Sequence, residues 1–301
     1  MELFCMAGGN ALSLLLPVAL FIIMLGMGLT LKLSDFLSLR QRPLAIVAGV
    51  SLQLLFLPLL AWLVVTVLQL PAVLAAGLLI VSFAPGGATS NMISYLCRAD
   101  TALSISLTAI TSLIIPFSLP WFTWMTLEHL LGSGVMVELP LLSTIAKLVM
   151  VTLIPVVTGL YINRRWPRLC DQLQRPIKVL SLVFMFAVVV MISWANRAVL
   201  PELMPLLSPA IILLASSAMV FAMLVARYLL RLNTETALTL GIETGIQNAG
   251  TALMVTGAIL QQPEMSLTVL LYGILMQVPA VLLILWRNSP VRWRSVLVNA
   301  K

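Results

Sequence analysis

The chain has 301 residues, 61% of them hydrophobic and only 9% charged, and its mean hydropathy is +1.11. A water-soluble domain could not hide so much apolar surface, whereas a polytopic membrane protein has no need to. The net charge of +7 therefore reports topology and contact with anionic lipid, and gives no support for nucleic-acid binding.

The hydrophobic pattern predicts about nine transmembrane helices in an all-α protein, each long enough for roughly 30 Å of hydrocarbon. The first, about residues 11–31, has no basic segment ahead of it and does not read as a cleavable signal peptide. The second, about 43–67, carries Gln53 in Val50-Ser51-Leu52-Gln53-Leu54-Leu55, a lone amide that an interhelical hydrogen bond would explain. The third, about 72–97, is interrupted at Pro85-Gly86-Gly87-Ala88-Thr89-Ser90-Asn91. Pro85 removes a helical hydrogen bond, and the glycine pair makes left-handed or extended backbone cheap. Such backbone at membrane depth is tolerated only where protein or a water-filled cavity covers it; a plain kink is the alternative.

In the fourth span, about 101–125, Ser104 and Thr108 are four apart and share one face. Back-bonding to the preceding carbonyls is the ordinary role of such residues. The fifth, about 141–162, holds Lys147 near its outer end, placed to snorkel or to draw anions toward a groove. The sixth and seventh, about 178–196 and 208–230, show no polar cluster. The eighth, about 236–260, contains Leu238-Thr239-Leu240-Gly241-Ile242-Glu243-Thr244-Gly245-Ile246-Gln247-Asn248-Ala249-Gly250. Glu243 is an acidic residue deep in an apolar run. A carboxylate there costs several kcal/mol unless a cation, a proton or a partner satisfies it. Gly, Gln, Asn and Thr crowd around it, which suits an unwound helix facing a hard cation. A ninth span, about 267–286, closes the set.

With the N-terminus outside, the cytoplasmic segments hold Lys32, Arg40, Arg42, Arg98, Arg164, Arg165, Arg168, Arg175, Lys178, Arg227, Arg231, Arg287, Arg292, Arg294 and Lys301, which is 15 of 17 basic residues. The outer segments carry Glu2, Glu128, Glu138, Glu202 and Glu264. The positive-inside rule thus places the N-terminus out and the C-terminus in the cytoplasm. Cys5, Cys97 and Cys170 form no CxxC pair and carry no redox or metal signal. His129 reads as a solvated loop residue. Trp121, Trp124, Trp166 and Trp286 read as interfacial anchors.

On this topology the third and eighth spans run in opposite directions. Opposed broken helices are the mark of an inverted repeat, with the binding site where they meet. One further span follows each break, so residues 1–126 form a first repeat of four spans and 140–301 a second of five, in a single transmembrane unit. Four plus five implies the loss of an opening helix from an ancestral five plus five.

Gly26-Met27-Gly28-Leu29-Thr30-Leu31 with Asp35-Phe36, Pro85 to Asn91, and Glu243 to Gly250 resemble the bile acid:sodium symporter family through nearly the whole chain. The resemblance implies two broken helices crossing in a core domain packed against a panel domain, here without the family's first helix. It implies sodium as the coupling ion, with two sites. One would use Ser90, Asn91, Ser104, Thr108 and Glu243. The other would use Glu243 and Gln247 by side chain, Thr244 and Ile246 by carbonyl, and Gln53. The substrate is expected beside Asn248, with Thr89 and Asn91 contributing from the other broken helix. Half-helix N-termini there favour an anionic group.

The expected function is sodium-coupled symport of a small organic anion, bile-acid-like or a smaller carboxylate such as a pantothenate precursor, by alternating access in a bacterial inner membrane. A proton-coupled or sodium-independent anion carrier is the alternative, with Glu243 titrating. An intramembrane enzyme lacks the paired acids, His or nucleophile–base set that catalysis needs. A ligand sensor would lack an output domain. Oligomeric state is not set by the sequence, and a monomer suffices.

Overall fold

The computed structural model describes residues 2–32, 42–132 and 139–289, with side chains from residue 15 onward except at 178. The sequence-based placements of Asp35-Phe36, Arg40, Glu138, Arg292, Arg294 and Lys301, and those of the side chains of Glu2, Cys5 and Lys178, lie outside the described residues.

Helices account for the fold: α1 (Glu2–Thr30), α2 (Pro43–Val67), α3 (Ala72–Ser82), α4 (Ala88–Leu96), α5 (Thr101–Leu131), α6 (Leu141–Arg165), α7 (Pro167–Ala195), α8 (Leu200–Leu229), α9 (Thr234–Gly245), α10 (Ala249–Ile259) and α11 (Pro263–Asn288). No strand occurs among the described residues. Six of these helices, α2, α5, α6, α7, α8 and α11, are long and apolar enough to cross a membrane. Leu15–Thr30 of α1, together with α3 and α10, are shorter apolar helices.

Local chemistry sets the boundaries. Proline opens α2, α7 and α11, where its missing N–H costs nothing. Asp100, Asn233 and Asn248 cap α5, α9 and α10 by accepting the N–H of Leu103 at 3.1 Å, Thr236 at 2.8 Å and Thr251 at 3.1 Å. Two expected boundaries shift. Helix α7 starts at Pro167 rather than near 178, because Cys170, Leu173, Gln174 and Ile177 repeat at helical spacing and turn their side chains inward. Helix α5 runs on to Leu131, burying Thr126 and Leu127. His129 consequently lies in the last turn of α5 and not in a loop, its ring 5.1 Å from that of Trp62 on α2.

Helices α1, α6 and α7 pack together. A Cβ on Gly28 would lie 2.4 Å from the Val156 carbonyl oxygen, and one on Gly159 2.6 Å from the Gly28 carbonyl carbon, so only glycine allows this crossing of α1 and α6. The end of α1 is satisfied by side chains: the Leu29 carbonyl accepts from Asn163 Nδ2 at 2.9 Å, Gln174 Nε2 at 3.0 Å and Cys170 Sγ at 3.1 Å.

Helix α9 packs on α2, α4, α5 and α8 and is buried from Thr236 to Gly245. Contact with α8 is so close that a Cβ on Gly245 would fall 2.1 Å from Met219 Cγ and 2.9 Å from the Ala215 oxygen. Helix α3 packs on α5 and α11, and α10 on α11 and α1.

The backbone also shows a recurrence. Among the described residues, the positive-φ positions other than glycine are Gln69, Arg98, Arg231 and Gln261. They follow α2, α4, α8 and α10, the helices before and at the end of each interrupted pair. Each is a left-handed helix terminus held without glycine.

Candidate functional site

Both interrupted spans break where the sequence places the breaks, and the breaks lie against each other. Helix α3 ends at Ser82 and α4 starts at Ala88; α9 ends at Gly245 and α10 starts at Ala249. Pro85 and Gln247 form an isolated antiparallel bridge, and the Asn248 N–H donates to the Ala84 carbonyl at 2.8 Å. Each break thus satisfies polar backbone that the other has freed, as water-free surroundings require. The Gly245 carbonyl, freed at the end of α9, accepts the buried Tyr272 hydroxyl at 3.1 Å. Tyr272 carries no sequence signal beyond being a hydroxyl in an apolar run.

Gly86 makes the first turn possible. Its φ of +65° lies in the left-handed region, and a Cβ there would stand 3.2 Å from Thr108 Oγ1 and 3.3 Å from Glu243 Oε2. The polar cluster therefore sits directly against the break.

Glu243 is fully buried, at 0% exposure. Ser104 Oγ lies 2.5 Å from its Oε1 and Thr108 Oγ1 lies 3.1 Å from its Oε2. The same hydroxyls lie 2.7 and 3.4 Å from Asn91 Oδ1. Ser90 joins from α4, where its hydroxyl faces the carboxylate and also caps the helix through Gly87. Ser104 and Thr108 each bridge the Glu243 carboxylate and the Asn91 amide, so one network of hydroxyl, amide and carboxylate groups encloses the acid. No basic side chain is among the partners. Such a cage of carboxylate, amide and hydroxyl oxygens fits a small hard cation, or one proton on Glu243.

Of the first ligand group expected from the sequence, the structure therefore brings Ser90, Asn91, Ser104, Thr108 and Glu243 together. The second group is arranged more loosely. Gln247 donates from Nε2 to the Thr244 carbonyl at 2.9 Å, while its buried Oε1 has no partner among the described residues. Gln53 lies in a widened turn, Leu52–Phe56, that packs against α9. Its side chain is fully buried and neither amide atom has a partner among the described residues. Thr244 spends its hydroxyl on the Leu240 carbonyl at 2.7 Å, which leaves its backbone oxygen as its contribution to a site, and Ile246 is extended and buried. Buried amides of this kind are able to take a water molecule or an ion as partner.

Of the residues expected to meet a substrate, Asn248 is half-buried beside Gly87, Asn91 is in the cluster, and Thr89 faces outward on the exposed side of α4. An apolar niche lined by Leu16, Leu20, Met185, Val188, Gly250 and Leu253 adjoins the start of α10. Lys147 is exposed on α6.

Membrane-length apolar helices around a buried, oxygen-rich crossover define an integral membrane protein of the transporter class. Comparison with known proteins assigns it further. The chain belongs to the Sodium Bile acid symporter family, whose model matches residues 17–203, and that family consists of sodium-dependent transporters, not enzymes. It is 29% identical over 241 residues to the uncharacterized sodium-dependent transporter YocS of Bacillus subtilis, covering 79% of this chain and 72% of that one. It is 30% identical to the probable chloroplastic sodium/metabolite cotransporter BASS1 of Arabidopsis thaliana, covering 77% of this chain and 56% of the relative. It is 29% identical to the sodium/bile acid cotransporter 4 of mouse, covering 79% and 54%. The matched region is thus little more than half of the plant and mouse relatives.

Proposed function

We propose that this protein is a sodium-coupled symporter of a small organic anion, and that sodium binds at the crossover of the broken helices. The observation that carries the reading is the Glu243 cluster: a fully buried carboxylate ringed by hydroxyl and amide groups, with no basic partner among the described residues. A first ion would be held by Ser90, Asn91, Ser104, Thr108 and Glu243. A second would be held by Glu243, Gln247, the Thr244 and Ile246 carbonyls and Gln53, whose orphaned amides support it. The substrate carboxylate would lie beside Asn248 at the starts of α4 and α10, where unpaired N–H groups and helix dipoles favour negative charge.

Coupling follows from desolvation. An ion-free Glu243 is a costly buried charge that opposes rearrangement, and sodium neutralises it. The moving body would be α2–α5 with α8–α11, working against α1, α6 and α7. Gln69 and Arg98 in one half, with Arg231 and Gln261 in the other, support an inverted repeat of residues 1–126 and 140–301. The excess of basic residues in alternate loops supports an outer N-terminus and a cytoplasmic C-terminus in a bacterial inner membrane.

Uptake of labelled carboxylates into vesicles containing purified protein tests the proposal. Uptake should require an inward sodium gradient, and equal uptake with potassium outside would sink it. The burial of Glu243 without a basic partner among the described residues favours one second reading, in which a proton on Glu243 takes the place of sodium. A proton gradient alone would then drive uptake, and Glu243→Gln would retain exchange.

A further inference from the structure

One carboxylate outside the cluster is engaged through every polar atom it has. Asp100 lies between α4 and α5, with its side chain 14% exposed. Its Oδ1 accepts the Leu103 N–H at 3.1 Å and caps α5. Its Oδ2 pairs with the guanidinium of Arg42, one residue ahead of α2. Its carbonyl accepts both the Ser104 N–H at 3.0 Å and the Thr239 hydroxyl at 3.1 Å. Its own N–H faces the Glu235 carbonyl at 3.4 Å.

These partners lie on or beside three of the four helices that carry candidate ion ligands, α5, α9 and α2. Ser104 follows Asp100 by one turn of α5. Glu243 follows Thr239 by one turn of α9 and shares its face. Helix α2, which starts beside Arg42, carries Gln53. We infer that Asp100 is a positioning residue for the cation site: it sets the height of α5 against α9, so that the Ser104 and Thr108 hydroxyls meet the Glu243 carboxylate. This rests on the reading that sodium binds at Glu243.

The physical case is one of leverage. A helix without its cap loses the partner of an N–H in its first turn, and Ser104 sits at that turn. A small shift there breaks a contact of 2.5 Å to Glu243. Asp100 touches no proposed ion ligand by its carboxylate, so its effect must pass through the cap on α5, the Arg42 pair beside α2 and the carbonyl that holds Thr239. The same end of the molecule has other braces. Arg287 Nε donates to the Cys97 carbonyl at 3.2 Å and its NH2 lies 4.0 Å from Glu235, which should keep an Asp100 variant folded.

The test is a sodium titration of thermal stability on the purified full chain, with potassium holding ionic strength constant. Asp100→Ala should raise the half-saturating sodium concentration about tenfold, the size of a lost helix cap, with the full sodium response regained at saturation. Asp100→Asn keeps a capping oxygen and should shift the midpoint less than about threefold. Thr239→Val, which removes the tie from α9 alone, should shift it about threefold, as expected for one neutral hydrogen bond. A purely structural Asp100 would instead lower the melting temperature without sodium and leave the midpoint in place. That result, with the sodium response lost in Glu243→Gln, overturns the positioning role and spares the site. A sodium response that survives in Glu243→Gln overturns the site and the inference with it. If Asp100→Ala does not fold, Thr239→Val decides, and an unmoved midpoint overturns the inference.

Discussion

The two broken helices meet as partners but are not packed alike. Helices α9 and α10 are buried almost throughout, from Thr236 to Gln247 and from Gly250 to Thr256. Helix α10 is covered by α1. Helix α4 is two-sided: Ser90, Ile93 and Ser94 are buried, while Tyr95 is 68% exposed and Met92 and Leu96 are also open. It packs on α5, α9 and α11 and takes no such cover from α1. One arm of the crossover is covered by α1 and the other is not. The breaks themselves differ too. The first is made by Pro85 and a left-handed Gly86 and abuts the oxygen cluster; the second has no proline and contributes its charge and amides.

The strongest way to break this comparison is at the charge the second break supplies. Glu243→Gln should remove the sodium response, about 2.7 kcal/mol of stabilisation at a sodium concentration about 100 times Kd. Sodium-dependent uptake and thermal shift read it, and circular dichroism should show the helices intact. Next come the glycines, which should fail differently. Gly245→Ala drives a Cβ into Met219 and the Ala215 oxygen, so α9 must separate from α8. The expected loss is about 1–3 kcal/mol of stability with or without sodium. Gly86→Ala meets a left-handed φ and crowds Thr108 and Glu243. About 1–2 kcal/mol is expected, read chiefly as weaker sodium binding. Equal sodium midpoints in the two alanine variants would erase the distinction between a packing break and a binding break. The smallest effect on transport is expected from cysteine probes. Tyr95→Cys should react with a water-soluble maleimide in vesicles, whereas Leu253→Cys on α10, 1% exposed in the wild type, should not. An unreactive Tyr95→Cys would mean that lipid, not water, covers the open side of α4.

Part of the site is legible without coordinates because membrane physics narrows the choices. Glu243 among Gly, Gln, Asn and Thr cannot be a passive lipid-facing residue. Pro85-Gly86-Gly87 cannot continue a helix in hydrocarbon without support. Those two facts locate both breaks. Ser104 and Thr108 are less legible, since back-bonding would use them equally well, and in the structure Thr111 and Ser112 of the same helix do only that. Thr89 sits one residue from Ser90 yet points outward, because consecutive helical residues face about 100° apart.

The sequence by itself determined the class of protein, the approximate run of apolar helices, the two points of rupture and the buried acid, because all of these follow from local backbone chemistry and the cost of polarity in lipid. Only the tertiary structure decided which groups answer that cost. The Asn248 N–H finds the Ala84 carbonyl, Ser104 stands between Asn91 and Glu243, and Asp100 levels α5 against Thr239 on α9. These are meetings between residues more than 100 positions apart or, for Asn91 and Ser104, across the connection between two helices, and no local preference encodes them.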